Sequence, residues 1–380
     1  MKFETKCIHG SGKRYDDTGA VSVPIFQTAT FLHKGVGQST GYDYSRLQNP
    51  TRESLEDTVA QLENGSAALA FATGMAAIAT LMELFEPGSH IVASDDLYGG
   101  THRLFEHVSN KNGIDVTLVD STDIACLEAA IRPDTKAVYL ETPSNPMMHV
   151  TDLRAVAQIT RERGLLCIVD NTFLTPLYQR PLDLGADVVI HSGTKFLGGH
   201  NDTLAGLLVV RDTTLAERLR FLHKTTGACL APFDSWLILR GIKTLGVRMA
   251  RQQETAMQIA GYLKAHPAVD AVYYPGLKEH PGYDISCVQT TGFGSMLSFT
   301  VRDGAAARQV LERISLIGFA ESLGGVETLM TYPMLQTHAD IPEARRLAKG
   351  IDDRLLRLSV GLEASEDLIE DLDHALGGHE

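Results

Sequence analysis

The stretch DVVIHSGTKFLGGH (187–200) decides the fold, because an apolar run passes directly into a turn of small residues that holds Lys195. A run that is apolar throughout is typical of a β-strand whose two faces are both covered. A lysine just past such a strand lies where burial lowers the pKa of its ammonium group, and only the neutral amine forms a Schiff base with an aldehyde. The hydroxyls of Ser192 and Thr194 stand beside it and are suited to binding a phosphate. The alternative is a lysine in a glycine-rich surface loop, and this stretch alone favours neither.

Similar apolar runs recur on both sides of this stretch. They are AALAF (67–71), HIVAS (90–94), DVTLV (115–119), KAVYLE (136–141), LLCIVD (165–170) and AGLLVV (205–210). Amphipathic stretches such as LRAVAQITRERG (153–164) lie between most of them, and this one stops at a glycine. The alternation predicts an α/β fold with a mainly parallel, seven-stranded sheet wrapped by helices. Ligands then bind at the carboxyl ends of the strands.

The chain divides into three predicted parts. Residues 1–50 show no sustained period but several aromatic side chains, which favours an arm that docks on another surface, such as a second subunit. Residues 51–245 contain the alternation and form the predicted large domain. Residues 246–380 begin with a long helical stretch and continue through VDAVYYPG, SMLSFTV and GAAARQVLERI, which predicts a smaller C-terminal α+β domain.

Composition narrows the function classes. The chain has 380 residues, with 34 basic and 47 acidic side chains and a formal net charge of −13, which argues against a nucleic-acid partner. No apolar run approaches the roughly 18 residues that cross a bilayer, and MKFETKCIHG at the start lacks the apolar segment of a signal peptide, so we expect a cytoplasmic protein without a membrane partner. The five cysteines and 14 histidines lack the spacing of metal ligands, so no metal is expected.

Two further candidate groups lie at other strand ends. Asp170 closes the run LLCIVD, where an acid can keep a heterocyclic nitrogen protonated, although a turn or helix cap is the commoner role of an isolated aspartate. FATGMAAIATLMELF (71–85) has a strand end, a small-residue turn and a helix start, so the amides of Gly74 and Met75 are suited to binding an anion. A strand–turn–helix of this kind is common, and alone it is a weak signal.

Three more side chains complete the candidate site. Tyr98, in DDLYGGTHRLF, follows the strand HIVAS and is suited to stacking on a flat ring, or is simply a structural turn residue. Asn145, in ETPSNP, offers an amide at another strand's carboxyl end, which is suited to bonding a ring hydroxyl. Arg357 alternates with Leu356 and Leu358 in RLLRLSVGLE and is the candidate for binding a substrate carboxylate, although a surface strand with outward arginines is the commoner case.

Together these segments resemble the Cys/Met-metabolism family of pyridoxal-phosphate enzymes, which includes cystathionine γ-synthase, cystathionine γ-lyase, cystathionine β-lyase and methionine γ-lyase. The resemblance runs from GAVSVPIFQTATF (19–31) to LRLSVGLEASEDLIEDL (356–372). The segments that carry it occur in the family's order: YDYSRLQNPTR, ATGMAAI, DDLYGGTHRLF, ETPSNP, IVDNTF, HSGTKFLGGHND and AESLGGVETL. It implies fold type I of the PLP-dependent transferases, the aspartate-aminotransferase-like class.

The resemblance also implies roles in cofactor binding. Lys195 would hold pyridoxal 5'-phosphate through its amine and later move protons, Asp170 would pair with the pyridine nitrogen, and Tyr98 would stack on the ring and act as a catalytic acid. The phosphate would be held by Gly74, Met75, Ser192 and Thr194. Gly193, where the family often has alanine, is a small departure.

Other implied roles concern the substrate and a neighbouring subunit. Tyr44 and Arg46 resemble residues that reach the phosphate in an adjacent subunit, usually within a homotetramer built from two dimers. Arg357, with help from Ser322 and Asn145, would bind the α-carboxylate of a small sulfur amino acid. In TYPMLQTHADIP (331–342) the chain departs from members that have a histidine before the proline, which changes the far wall of the substrate pocket.

Glu321 bears on the choice among the family's reactions. AESLGG resembles the γ-synthase and γ-lyase branches, where this acid engages the distal amino group of cystathionine or cysteine, so we expect chemistry at the γ carbon, with the synthase slightly favoured. The alternatives are a β-lyase or methionine γ-lyase, an aminotransferase or decarboxylase on the same fold, and a catalytically inactive PLP-binding regulator.

Overall fold

The computed structural model describes residues 1–12 and 17–377. A seven-stranded sheet forms its larger part, with the spatial order β1-β7-β6-β5-β4-β2-β3. Strands β2 to β6 run parallel, and only β7 runs antiparallel to both of its neighbours, β1 and β6. The strands are β1 Ala67–Phe71, β2 His90–Ser94, β3 Asp115–Val119, β4 Thr135–Glu141, β5 Leu166–Asp170, β6 Val188–Ser192 and β7 Gly206–Val210. The predicted mainly parallel sheet is confirmed, and each strand lies within one residue of its apolar run.

A second, five-stranded sheet lies in the C-terminal part, in the order β10-β11-β12-β9-β8. Its strands are β8 Val269–Tyr273, β9 Met296–Val301, β10 Gly318–Phe319, β11 Leu329–Thr331 and β12 Leu355–Ser359. All neighbours pair antiparallel except β10 and β11. This sheet with its helices is the smaller α+β part that the sequence predicts.

Helices cover both sheets. They are α1 Phe3–His9, α2 Pro50–Leu62, α3 Gly74–Met82, α4 Gly99–Leu104, α5 Ile124–Ala129, α6 Leu153–Arg163, α7 Thr175–Tyr178, α8 Pro181–Leu184, α9 Thr213–Thr226, α10 Pro232–Ile242, α11 Leu245–Ala265, α12 Tyr283–Gln289, α13 Gly304–Arg313, α14 Glu343–Ala348 and α15 Ser365–Leu376. A π-helical turn, Phe105–Ser109, continues α4.

Helix α6 shows why the predicted boundaries hold. The Asp152 carboxylate accepts hydrogen bonds from the amides of Arg154 and Ala155, which satisfies donors that have no partner in the first turn. Gly164 ends the helix with φ 65°, a left-handed conformation that glycine adopts without steric cost. The glycine stop predicted from the sequence therefore has a direct conformational cause.

The apolar runs of the large sheet are explained by burial on both faces. In β7, Leu207 and Val209 pack into one core cluster, while Leu208 and Val210 pack into another, and all four side chains are fully buried. Because successive side chains point to opposite faces, a strand with two cores has no polar face to display. The smaller sheet has its own core, in which helix α11 covers Leu297 and Phe299 of β9.

The N-terminal residues depart from the expected irregular arm. Phe3–His9 form helix α1, whose Cys7 is buried and whose Phe3 packs against the core. Two apolar residues one turn apart are too few to produce a detectable helical period, so the expectation was wrong there. Residues 17–49 have no regular helix or strand beyond the isolated bridge between Thr30 and Tyr44, and residues 13–16 of the predicted arm lie outside the described residues.

Candidate active site

The carboxyl ends of the parallel strands line a cavity of about 430 Å³ together with strand β12 and two loop segments of the C-terminal part. Every side chain or glycine singled out from the sequence lines it except Tyr44 and Arg46. The lining residues predicted from the sequence are Gly74, Met75, Tyr98, Asn145, Asp170, Ser192, Thr194, Lys195, Glu321, Ser322 and Arg357. Further lining residues that the sequence did not single out include Thr73, Glu141, Thr172, Phe173, Leu204 and Thr337.

Lys195 lies in the turn after β6, and its amine points across the cavity to the smaller part of the chain. Its Nζ donates a hydrogen bond of 2.7 Å to the Ser322 hydroxyl. Burial, followed by the positive charge of Arg357, lowers the pKa of this lysine to about 8, and the Glu321 carboxylate opposes that shift. An appreciable fraction of the amine is therefore neutral near physiological pH, as a nucleophile toward an aldehyde requires.

Asp170 ends β5 beside the lysine strand. Its Oδ1 accepts hydrogen bonds from the Thr172 amide at 3.0 Å and the Thr172 hydroxyl at 2.6 Å. Burial raises the pKa of Asp170, while the Thr172 bonds and the nearby His191 lower it. The carboxylate thus has the local turn role that is common for aspartate and also lines the cavity at the sheet's edge.

Glu141 is a lining residue that the sequence analysis missed. It ends β4 in direct register with Asp170 of β5, and its Oε2 accepts a 2.9 Å hydrogen bond from the Tyr98 amide. Burial and then the charge of Asp170 raise its pKa well above the ordinary value. The sequence does indicate this residue, because the apolar run KAVYLE ends with Glu141 just as the next run along the chain, LLCIVD, ends with Asp170.

The first turn of helix α3, here termed the anion cradle, has backbone amides that are suited to binding an anion. The Thr73 hydroxyl accepts from the Ala76 amide, so the amides of Gly74 and Met75, in the first two helical positions, have no partner within the helix. Gly206 of β7 permits this placement, because a Cβ there would overlap the carbonyl oxygen of Thr73. Ser192 faces the same turn, and a Cβ on Gly74 would lie 3.3 Å from its Oγ.

Thr194 is also held by the large sheet. Its hydroxyl accepts from the Ala205 amide at 3.0 Å and donates to the Ala205 carbonyl at 3.2 Å. These bonds fix the turn that carries Lys195 against the start of β7.

Arg357 lies in the middle of β12 and is almost fully buried, at 1% exposure. Its guanidinium donates to Asn145 Oδ1 at 2.8 Å, the Ser322 carbonyl at 3.1 Å and the Thr331 hydroxyl at 3.0 Å. Its Nε has no hydrogen-bond partner among the described residues. Burial lowers the pKa of this arginine to about 10, and Glu141 is the first group that opposes the shift. The surface-strand alternative is wrong, and a buried cation with spare donor capacity faces the cavity.

Tyr98 and Glu321 lie at the more open parts of the cavity. The Tyr98 side chain is 39% exposed just before α4, and Glu321 is exposed in the loop before Ser322. An exposed aromatic face beside the lysine is available to stack on a planar ligand.

Tyr44 and Arg46 lie away from this cavity in the single chain. Arg46 Nη1 donates to the Lys224 carbonyl at 2.6 Å, and its guanidinium lies 5.6 Å from the centre of the Tyr44 ring. Tyr44 is 44% exposed. Both residues are thus presented on the surface of the arm rather than toward their own chain's Lys195.

The lining residues fit pyridoxal phosphate as a set. An amine with a lowered pKa suits the aldehyde, a carboxylate at the cavity edge suits the ring nitrogen, and two uncommitted helix amides with the Ser192 hydroxyl suit the phosphate. Across residues 1–12 and 17–377, no group of three or more His, Cys, Asp or Glu side chains is arranged to hold a metal ion. None of the helices in these same ranges combines the length and apolar character needed to span a membrane.

Comparison with known proteins agrees with this geometry. Two proteins of Bacillus subtilis are each 50% identical to this chain: a cystathionine gamma-lyase, with 99% of both chains covered, and a cystathionine gamma-synthase/O-acetylhomoserine (thiol)-lyase, with 98% of this chain and 96% of the relative covered. A cystathionine beta-lyase of Lactococcus lactis is 48% identical, with 98% of both covered.

A solved structure is equally similar. The cystathionine gamma-lyase of Lactobacillus plantarum, complexed with L-serine, superimposes with a TM-score of 0.97 at 48% identity, covering 100% of this chain and 99% of the other. The family model described as "Cys/Met metabolism PLP-dependent enzyme" matches residues 4–377. With the amine, the acid and the anion cradle already placed around one cavity, this match leads to one conclusion: the chain belongs to the Cys/Met metabolism family of PLP-dependent enzymes.

Proposed function

We propose that the protein makes or breaks carbon–sulfur bonds at the γ carbon of amino acids, with cystathionine synthesis from an O-acyl-homoserine and cysteine as the favoured reaction. The observation that carries this proposal is the presence of a buried guanidinium, Arg357, and an exposed carboxylate, Glu321, on the wall of the cavity that holds Lys195. A substrate with an α-carboxylate near one end and an ammonium group at the other is complementary to this pair.

The chain's own residues then have distinct tasks. Arg357 binds the α-carboxylate, with Asn145 and the Ser322 carbonyl fixing its guanidinium. The Lys195 amine removes the Cα proton, because a buried amine with a pKa of about 8 is a competent base near neutral pH. When bound, the cofactor delocalises the negative charge that is left on Cα.

Asp170 and Tyr98 each control a proton in this reaction. The Asp170 carboxylate holds a proton on the ring nitrogen, and the Tyr98 hydroxyl supplies a proton to the group that leaves the γ carbon. In both reactions a second proton leaves Cβ before the γ substituent departs. In the synthase reaction the bond between Cγ and the ester oxygen breaks, the acyl group leaves as a carboxylate, and the thiol of cysteine gives up its proton as it forms the new C–S bond. In the lyase reaction the Cγ–S bond of cystathionine breaks, cysteine leaves, and water converts the four-carbon remainder into 2-oxobutanoate and ammonia.

The proposal extends to assembly and organisation. Tyr44 and Arg46 are exposed on the arm of residues 1–50, and we assign them to the phosphate site of a neighbouring subunit within a homotetramer.

The large unit spans 51–245 and the smaller unit 246–380, of which residues 378–380 lie outside the described residues. We place the enzyme in the cytoplasm, acting on small sulfur amino acids.

The γ-lyase is the second candidate, since a protein of that name is as similar as the synthase relative. The experiment that separates the reactions offers the enzyme O-acetyl- or O-succinyl-homoserine with cysteine, and cystathionine alone, followed by product analysis. Cystathionine from the first mixture supports synthesis, and cysteine with 2-oxobutanoate from the second supports γ-elimination. Exclusive formation of homocysteine and pyruvate from cystathionine would overturn the γ-carbon assignment and make the enzyme a β-lyase.

A further inference from the structure

One buried histidine connects three parts of the cavity wall. His338 lies between β11 and α14 and is 1% exposed. Its Nε2 lies 3.0 Å from the carbonyl oxygen of Asn145 and 3.2 Å from that of Leu97, and its Nδ1 lies 2.8 Å from the hydroxyl of Thr337. No step of the proposed reaction uses this imidazole.

The partners define which nitrogen carries the proton. Both groups facing Nε2 are carbonyl oxygens, which only accept, so Nε2 carries hydrogen and donates. Burial, followed by the charge of Arg357, lowers the pKa of this histidine to about 4, so the ring is neutral and Nδ1 is an acceptor. The Thr337 hydroxyl therefore donates to Nδ1, and each polar atom of the ring has a partner.

The two carbonyls belong to loops that carry site residues. Leu97 directly precedes Tyr98, and the Asn145 side chain receives the hydrogen bond of Arg357. Thr337 lines the cavity itself. A continuous set of hydrogen bonds thus leads from Thr337 through His338 and Asn145 to Arg357, and it joins the C-terminal segment to two strand-end loops of the large sheet.

We propose that His338 is a positioning residue that fixes the Asn145 loop, and through it the Arg357 guanidinium, for binding the substrate α-carboxylate. The inference rests on the proposed carboxylate role of Arg357. Removal of the ring leaves the Asn145 carbonyl without this donor, so the Asn145 side chain is no longer held at the distance that orients Arg357. The amine of Lys195 donates to the Ser322 hydroxyl, and among the described residues it has no hydrogen bond to Asn145, Thr337 or His338.

The test compares two ligands that differ only in the carboxylate, L-alanine and ethylamine. Their binding to the holoenzyme is measured from the absorbance change of the bound cofactor. H338M, which keeps the volume but removes the donor, should weaken L-alanine binding about tenfold, in the range expected for a lost buried hydrogen bond, and leave ethylamine binding and cofactor content unchanged. H338Q, whose side-chain amide can donate to the same carbonyls, should lie within about threefold of the wild type.

Control variants separate the possible failures. If R357M leaves the preference for L-alanine over ethylamine unchanged, the carboxylate role of Arg357 fails and with it the inference. If R357M abolishes the preference while H338M retains it, only the His338 inference is overturned. Equal weakening of both ligands by H338M would show a general structural role and would also overturn it.

A second pair of variants keeps the inference testable if H338M does not fold. T337V removes the hydroxyl donor to Nδ1 at constant volume, and T337S retains it. T337V should weaken L-alanine binding about two- to threefold relative to T337S, with ethylamine unchanged, since it removes one of the bonds that hold the ring. Equal L-alanine affinities for the two variants would contradict the proposal.

Discussion

Glu141 and Asp170 are register partners at the carboxyl ends of adjacent parallel strands, so two buried carboxyl groups face one cavity. Burial raises the pKa of both carboxyl groups, and the charge of Asp170 raises the pKa of Glu141 further. Asp170 accepts two hydrogen bonds from Thr172, whereas Glu141 accepts one from the Tyr98 amide. The negative charge of the pair is therefore better stabilised on Asp170, while burial and the charge of Asp170 hold the pKa of Glu141 well above its ordinary value.

This asymmetry predicts different effects of two similar substitutions. D170N should lower kcat by about 100-fold or more, because the charge that holds a proton on the cofactor ring is lost where charge develops. E141Q should change kcat by less than about tenfold, since the glutamine side chain keeps an oxygen that accepts from the Tyr98 amide. Steady-state kinetics on the two purified holoenzymes check this, and an E141Q enzyme as impaired as D170N would refute the assignment.

Lys195→Ala should fold but lose the covalent link to the cofactor. We expect no imine that borohydride can reduce and a fall in turnover of at least about 100-fold, because Lys195 supplies the only side-chain amine among the described residues that line the cavity. Mass spectrometry after borohydride treatment reads the link, and K278A, at an exposed lysine, is the matched control. Wild-type turnover by K195A would show that Lys195 is not required for the reaction.

The pH dependence of cofactor capture should report the lowered pKa of Lys195. Only the neutral amine attacks the aldehyde, so the capture rate of the apoenzyme should rise with pH. The rate should reach half of its plateau, the midpoint, at about pH 8. Because Glu321 opposes the lowering, E321Q should move the midpoint to lower pH. Stopped-flow absorbance gives the profile, and a midpoint at the ordinary lysine value of 10.5 would contradict this account.

Arg46→Ala should weaken cofactor binding, and the defect should be complemented between subunits. If Arg46 serves the neighbouring site, a hybrid of R46A and K195A subunits has one site with both defects and one with neither. Random mixing at equal amounts then restores about a quarter of the wild-type activity. Activity is measured after dissociation and reassociation of the two variants, at a cofactor concentration too low to load R46A alone, with each variant treated alone as the control. Mixtures no more active than their components would exclude a shared site.

Gly206→Ala should loosen the phosphate cradle. A Cβ at this position overlaps the Thr73 carbonyl, so the turn before α3 must shift and the amides of Gly74 and Met75 move with it. We expect a higher dissociation constant for the cofactor, measured by fluorescence titration. Gly261→Ala is the matched control, since a Cβ there meets open space within helix α11 and should stabilise the fold by about 0.5–1 kcal/mol. Equal cofactor affinity in both variants would refute the role of Gly206.

Much of the fold could be predicted because its signals are local. Apart from β3, an edge strand whose residues are exposed or partly buried, the strands of the large sheet are covered on both faces, so their apolar runs mark the boundaries without knowledge of their partners. Lys195, Asp170 and the turn at Gly74 could be singled out for the same reason, since each lies at the end of such a strand or three residues beyond it. Helix α1 was missed because its apolar stripe has too few members to form a pattern.

The remaining site contacts could not be predicted because they join distant parts of the chain. The bond between His338 and the Asn145 carbonyl spans 193 residues, and the bond between Arg357 and Asn145 spans 212. Nothing in the sequence near Arg357 distinguishes it from an arginine on an exposed strand. The partners become apparent only when the smaller sheet is placed against the strand ends of the large one.

The residues that line the cavity come from two parts of the chain, so cofactor binding and substrate choice can be changed separately. The amine, the acid and the anion cradle come from the large sheet, while Glu321, Ser322, Thr337 and Arg357 come from the C-terminal part. If the C-terminal part is replaced by that of another family member, the chimera is therefore expected to acquire the substrate preference of that member. The absorbance of its bound cofactor and its reaction with borohydride are expected to stay those of the present enzyme.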